Sequence, residues 1–111
     1  MDKNIVVILR KPPHGSLFPA EGLRVAVAAS ASPLQVVSIG DSVYAFLKKV
    51  DRSLYKKHLE FLNEIEIPVL LDKDSMEERG LVKEDLVEGV IVKEHREILS
   101  VLSEADTTLT F

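Results

Sequence analysis

Ile5-Val6-Val7-Ile8-Leu9 is an unbroken apolar run, and every residue before Leu9 is β-branched. Val36-Val37-Ser38-Ile39, Val69-Leu70-Leu71 and Val90-Ile91-Val92 have the same character. A strand with one wet face alternates apolar and polar residues. A continuous run instead implies burial on both faces, which is the mark of a parallel sheet sheathed by helices. The segment from Thr107 to Phe111 does alternate, and it suits a strand nearer an edge.

Helical stretches separate these runs. From Ser16 to Ala31 the chain passes through Leu23, Ala26, Val27 and Ala28, with Pro19 suited to a first helical turn. Asp41 opens a short helix holding Val43, Tyr44 and Phe46. Ser53 is the expected cap of a longer one, with Tyr55, Leu59, Leu62 and Ile65 as its apolar stripe. Ser75 to Arg79 is a helical turn that Gly80 stops. Glu94 to Glu104 sets Ile98, Val101, Leu102 and Ala105 on one face. The order β-α-β-α-α-β-α-β-α-β, closed by right-handed crossovers, gives an α/β three-layer sandwich. Its five-stranded sheet is mostly parallel, with helices on both faces. Residues 1–111 read as a single domain.

Composition excludes several functions. The net charge is −4 and the basic residues are scattered among acidic ones, so direct nucleic-acid binding is not expected. No segment reaches the roughly 20 apolar residues of a membrane span. The first apolar run is too short for a signal-peptide core, so the expected location is cytoplasmic. The absence of cysteine excludes disulfides, thiolate metal sites and thiol catalysis. Val25 to Ala29 leave the first helix almost no polar face, which points to an oligomer.

Open parallel sheets gather ligands beyond the carboxyl ends of their strands. Pro12-Pro13-His14-Gly15, Gly40-Asp41-Ser42 and Asp72-Lys73-Asp74-Ser75 occupy that edge. His14 could act as a general base or bind an anion. It could equally sit in a rigid Pro-Pro turn relaxed by Gly15. Asp41 reads first as a helix cap, and otherwise as a functional carboxylate. Asp72, Asp74 and Glu77 could recruit a divalent metal, though a solvated acidic helix start is commoner. His58 and His95 lie among charges and read as surface residues. No metal-spaced histidine pair, phosphate-cradling loop or Ser/His/Asp order occurs, and neither a metal site nor a cofactor is expected.

Taken in order, these segments resemble the DsrE/DsrF-like sulfur-relay family, and within it the TusC/DsrF branch. The matching residues are Pro13-His14-Gly15, Glu21-Gly22-Leu23, Ile39-Gly40-Asp41 with Val43, and Ser75-Met76-Glu77-Glu78-Arg79-Gly80-Leu81, with a short last strand ending at Phe111. The resemblance implies a hetero-oligomer with DsrE/TusD-like and DsrH/TusB-like subunits. Such an assembly passes persulfide sulfur toward 2-thiouridine in tRNA or serves sulfur metabolism. The carrier cysteine of the DsrE/TusD-like members falls eight residues before the glycine matched by Gly80, and that position here is Asp72.

The expected role is therefore a non-catalytic subunit. Its partner or ligand edge would comprise His14, Gly15, Asp41, Tyr44 and Asp72. One alternative is a small-molecule binder or enzyme using His14 and Asp41. Another is a DsrE-like homo-oligomer formed by self-association.

Overall fold

The computed structural model describes residues 3–111. Five strands form one sheet: β1 (Ile5–Leu9), β2 (Leu34–Ser38), β3 (Val69–Asp72), β4 (Val90–Lys93) and β5 (Thr107–Thr110). The spatial order is β4-β3-β2-β1-β5, and every neighbouring pair is parallel. The helices are α1 (Phe18–Ala28), α2 (Lys56–Glu64), α3 (Lys73–Glu78) and α4 (His95–Ser103). Gly40–Phe46 and Lys83–Asp85 are 3-10 turns.

The side-chain alternation of the strands divides the core in two. Val7, Leu9, Val36, Val69 and Leu71 pack with Leu23 and Ala26 of α1, Leu59 and Leu62 of α2, Phe46 and Met76. On the other face Val6, Val37 and Leu70 pack with Ile98, and Val101, Leu102 and Ala105 lean against them. Chain direction accounts for the split. From β1 to β4 the strands are laid down in one direction, and β5 then returns to the far side of β1. Right-handed crossovers require the reversing connection to pass over the opposite face, so among the described helices α4 covers that face.

The expected order of elements is observed, and the sheet is wholly rather than mostly parallel. Three local expectations are corrected. Val90-Ile91-Val92 is not buried on both faces, because β4 is an edge strand and Ile91 is 42% exposed. Ser53 does not cap α2, which begins three residues later; its N–H donates to Asp51 Oδ1 at 2.9 Å in a local turn. Asp41 caps nothing: Ile39 precedes the 3-10 turn, without a side-chain hydrogen bond.

Two close contacts fix the first layer. Tyr55 is buried and its hydroxyl donates to the Ala45 carbonyl at 2.6 Å, tying α2 to the 3-10 turn. Burial pushes its phenol pKa up to about 12. Gly22 of α1 lies so near β1 that an added Cβ would collide with Leu9 Cδ2 and crowd the Phe111 ring.

Candidate functional site

The segment leaving β3 turns toward the α1/α2 face, where Met76 of α3 joins the core. The segment leaving β4 turns the other way into α4. The carboxyl ends of β3 and β4 therefore flank a topological switch point, the place where open α/β sheets form ligand crevices. An open groove of about 500 Å³ lies beside it, bordered by Lys73, Met76, Leu81, Lys93 and Glu94 among others, with neither Asp72 nor His95 in its lining. Its charges largely neutralise one another: Lys73 Nζ is 3.9 Å from Glu77 and 3.8 Å from Glu94, and Lys93 Nζ is 3.5 Å from Glu97.

Asp72 closes β3 and is only 3% exposed. A buried carboxylate needs its oxygens occupied, and both are. Oδ2 accepts the Ser75 N–H at 3.1 Å and the Ser75 hydroxyl at 2.7 Å, which caps α3. Oδ1 faces Nδ1 of His95 at 3.0 Å. The His95 side chain opens α4 and is 49% exposed. Its pKa is raised above the ordinary imidazole value. The hydrogen bond to Asp72 is the main cause, followed by that carboxylate's charge, with Asp74 and Glu78 adding and desolvation opposing.

The network continues into the loop after β2. Gly40 sits at φ +61°, a conformation that suits glycine, and its N–H donates to Ser75 Oγ at 2.9 Å. Arg79 Nη1 donates to the Ser75 carbonyl at 2.9 Å, while Nη2 and Nε reach Asp41 Oδ1 at 2.9 and 3.1 Å. Arg79 reaches both because α3 ends beneath it in a Schellman motif. There Leu81 N–H bonds to the Met76 carbonyl and Gly80 N–H to the Glu77 carbonyl, with Gly80 at φ +67°. Beneath Gly40, the buried Ser38 and Ser42 hydroxyls are 2.6 Å apart, and Ser42 Oγ donates to the Leu9 or Ile39 carbonyl. Two groups of hydrogen bonds, one at the ends of β1 and β2 and one at the ends of β3 and β4, thus meet at the Ile39–Ser42 backbone.

Comparison with known proteins gives this arrangement a family. The DsrE/DsrF-like family model matches residues 3–111. The chain belongs to the DsrE/DsrF-like family. It is 30% identical over 115 aligned positions to the Protein TusC homolog of Vibrio parahaemolyticus, covering 96% of this chain and 98% of that one. The crystal structure of the ychN protein from E. coli superposes with a TM-score of 0.84 at 29% identity over the whole of both chains. A protein of unknown function from Methanobacterium thermoautotrophicum shares the fold, at TM-score 0.72 and 16% identity, over 99% of this chain and 100% of that one.

In this DsrE/DsrF-like chain the residues expected at the edge fall into two groups. Asp72 and Asp41 are engaged, one with His95 and Ser75, the other with Arg79. Asp72 is a buried cap rather than a solvated helix start. His14 and Gly15 lie in an exposed turn, with Gly15 at φ +70°, and His14 bonds to no described side chain. Tyr44 is half-buried in the 3-10 turn. Among the described residues no three His, Asp or Glu side chains converge as a metal site, so Asp72, Asp74 and Glu77 do not form one. Sequence reasoning missed His95, Ser75 and Arg79 as site residues. Asp72 pairs in register with Lys93, two residues before His95. Knowing that β3 and β4 were neighbours would have brought the two together.

Proposed function

We propose that this chain is a TusC/DsrF-like subunit of a cytoplasmic sulfur-relay assembly and does not itself carry sulfur. The observation that carries the reading is a DsrE/DsrF-like fold in a chain with no cysteine, with a buried aspartate at the end of β3. A carboxylate cannot hold a persulfide. Its partners would be cysteine-bearing DsrE/TusD-like and DsrH/TusB-like subunits, and the assembly would serve 2-thiouridine formation in tRNA or sulfur metabolism. Exposed Leu17 and Phe18 at the entry to α1, and Phe61 and Ile65 at α2, supply apolar surface for association. No described helix is long and apolar enough to cross a membrane.

The test is intact mass after incubation with a cysteine desulfurase and cysteine, alone and with cysteine-bearing relatives. The expected outcome is no sulfur on this chain and a stable complex with the relatives. A stable gain of one sulfur atom on this chain, or failure to assemble with any relative, sinks the reading. Asp72→Cys places a thiol beside His95 and the Ser75 N–H, both of which favour a thiolate. That variant is expected to accept sulfur.

A further inference from the structure

The least explained feature of the molecule is a histidine tethered at one nitrogen and open at the other. His95 Nδ1 is held by Asp72 Oδ1, and no described side chain bonds to its Nε2. Every other part of the cluster is satisfied internally. Asp72 is anchored twice by Ser75, Ser75 accepts from Gly40, and Arg79 braces the Ser75 carbonyl. Because a carboxylate only accepts, Nδ1 must donate. A neutral His95 therefore carries its proton on Nδ1 and its lone pair on Nε2, in a side chain that is 49% exposed. That is how a buried carboxylate prepares a histidine for proton transfer.

We propose that His95, positioned by Asp72, is a proton-transfer residue acting on a thiol delivered from outside the chain to the carboxyl ends of β3 and β4. This rests on the sulfur-relay reading above and extends it: a chain that cannot carry sulfur still supplies a group to the transfer. In the step, the thiol R–SH gives its proton to His95 Nε2. The thiolate attacks the sulfane sulfur of a persulfide R′–S–SH. A new S–S bond forms as the old one breaks, and its electron pair leaves with R′–S⁻. That thiolate then takes the proton back from Nε2. The products are R–S–SH and R′–SH, and no oxidant or reductant is consumed.

Two observations favour a thiol over a hydroxyl. A thiol ionises near pH 8.5, far closer to an imidazole than any alcohol does. Proton transfer is most effective between matched groups, and the surroundings of His95 move it toward the thiol range. The charged groups bearing on it are Asp72 at the end of β3 and Asp74 and Glu78 on α3. Lys73, the nearby cation of α3, is tied to Glu77 and Glu94. A protonated His95 is thus also the counter-charge available to an incoming thiolate.

The rival is a purely structural role, with the pair merely pinning the start of α4 to the sheet. The experiment follows sulfur transfer by mass spectrometry, with this chain, a persulfide-loaded cysteine-bearing relative, and an acceptor that is either a second relative or glutathione. His95→Gln, Asp72→Asn and wild type are compared from mildly acidic to mildly alkaline pH, and His95 is titrated by NMR. The expected results are a fall of about 100-fold for His95→Gln and loss of the pH dependence. Asp72→Asn retains the hydrogen-bonding shape but lowers the His95 midpoint, and the rate profile should move with it. A defect with both acceptors assigns the site to any thiol; one confined to the protein acceptor assigns it to a partner cysteine. An assembled complex in which His95→Gln transfers at the wild-type rate overturns the inference alone. A wild-type chain that neither assembles nor alters transfer overturns the subunit reading, and the inference with it.

Discussion

His14 and His95 stand at the same carboxyl edge of the same sheet, one following β1 and the other following β4, and their surroundings differ completely. His14 lies in an exposed Pro-Pro-His-Gly turn with no described side chain bonded to it. His95 is joined at 3.0 Å to a carboxylate that is itself 3% exposed and bonded twice to Ser75. The conspicuous turn around His14 records a backbone requirement, with two prolines and a glycine at positive φ. The inconspicuous His95 acquires its chemistry from a neighbouring strand. A histidine becomes useful when a buried acceptor fixes its tautomer and orientation, and among the described residues Asp72 at the end of β3 provides one for His95.

The largest effect should come from removing that acceptor. Asp72→Ala strips α3 of its cap and leaves the Ser75 N–H and hydroxyl donors without their acceptor, at an expected cost of about 2–3 kcal/mol. His14→Ala, touching nothing buried, should stay within about 0.5 kcal/mol of wild type. Urea midpoints measured on both variants compare the two regions directly. Equal midpoints would break the contrast.

A smaller effect is expected at Arg79, whose side chain is largely buried between Asp41 and the Ser75 carbonyl. Arg79→Ala should cost about 1 kcal/mol. It should also loosen the cluster from the β2 side, read as faster amide exchange at Gly40. Unchanged exchange there would show that Ser75 holds the loop alone.

The smallest effect is a dependence of stability on pH. The folded-state pKa of His95 is raised, so its contribution is fully present below the unfolded imidazole pKa, about 6.5. It is lost as pH rises through the folded value. Thermal melts across that window should fall with increasing pH in wild type, and His95→Gln should flatten that part of the profile. A profile identical in the two proteins would mean that His95 and Asp72 are not coupled in solution.

Much of the fold was legible because its cause is local. Ile5 to Leu9 and Val69 to Leu71 are apolar on successive residues, and only a doubly covered strand can bury both sets. Gly80 ended α3 as expected, because a left-handed residue there closes a Schellman motif. Val90-Ile91-Val92 misled because an edge strand beside a single covering helix can carry the same residues as a central one. Asp41 misled for a related reason. A short acid at the start of a turn looks like a cap, but Arg79, 38 residues away, claimed its carboxylate.

From the sequence alone follow the parallel α/β architecture, the absence of any thiol, and the kinship with the DsrE/DsrF-like proteins. Each depends on residue types and their order along the chain. The tertiary structure alone decided which polar groups meet. Asp72 and His95 lie 23 residues apart, and Gly40 and Ser75 lie 35 apart. Nothing in either segment names the other. Their meeting depends on β4 pairing with β3 and on α4 crossing to the opposite face, so that two chain segments diverge from adjacent strand ends and leave a carboxylate and an imidazole facing one another between them.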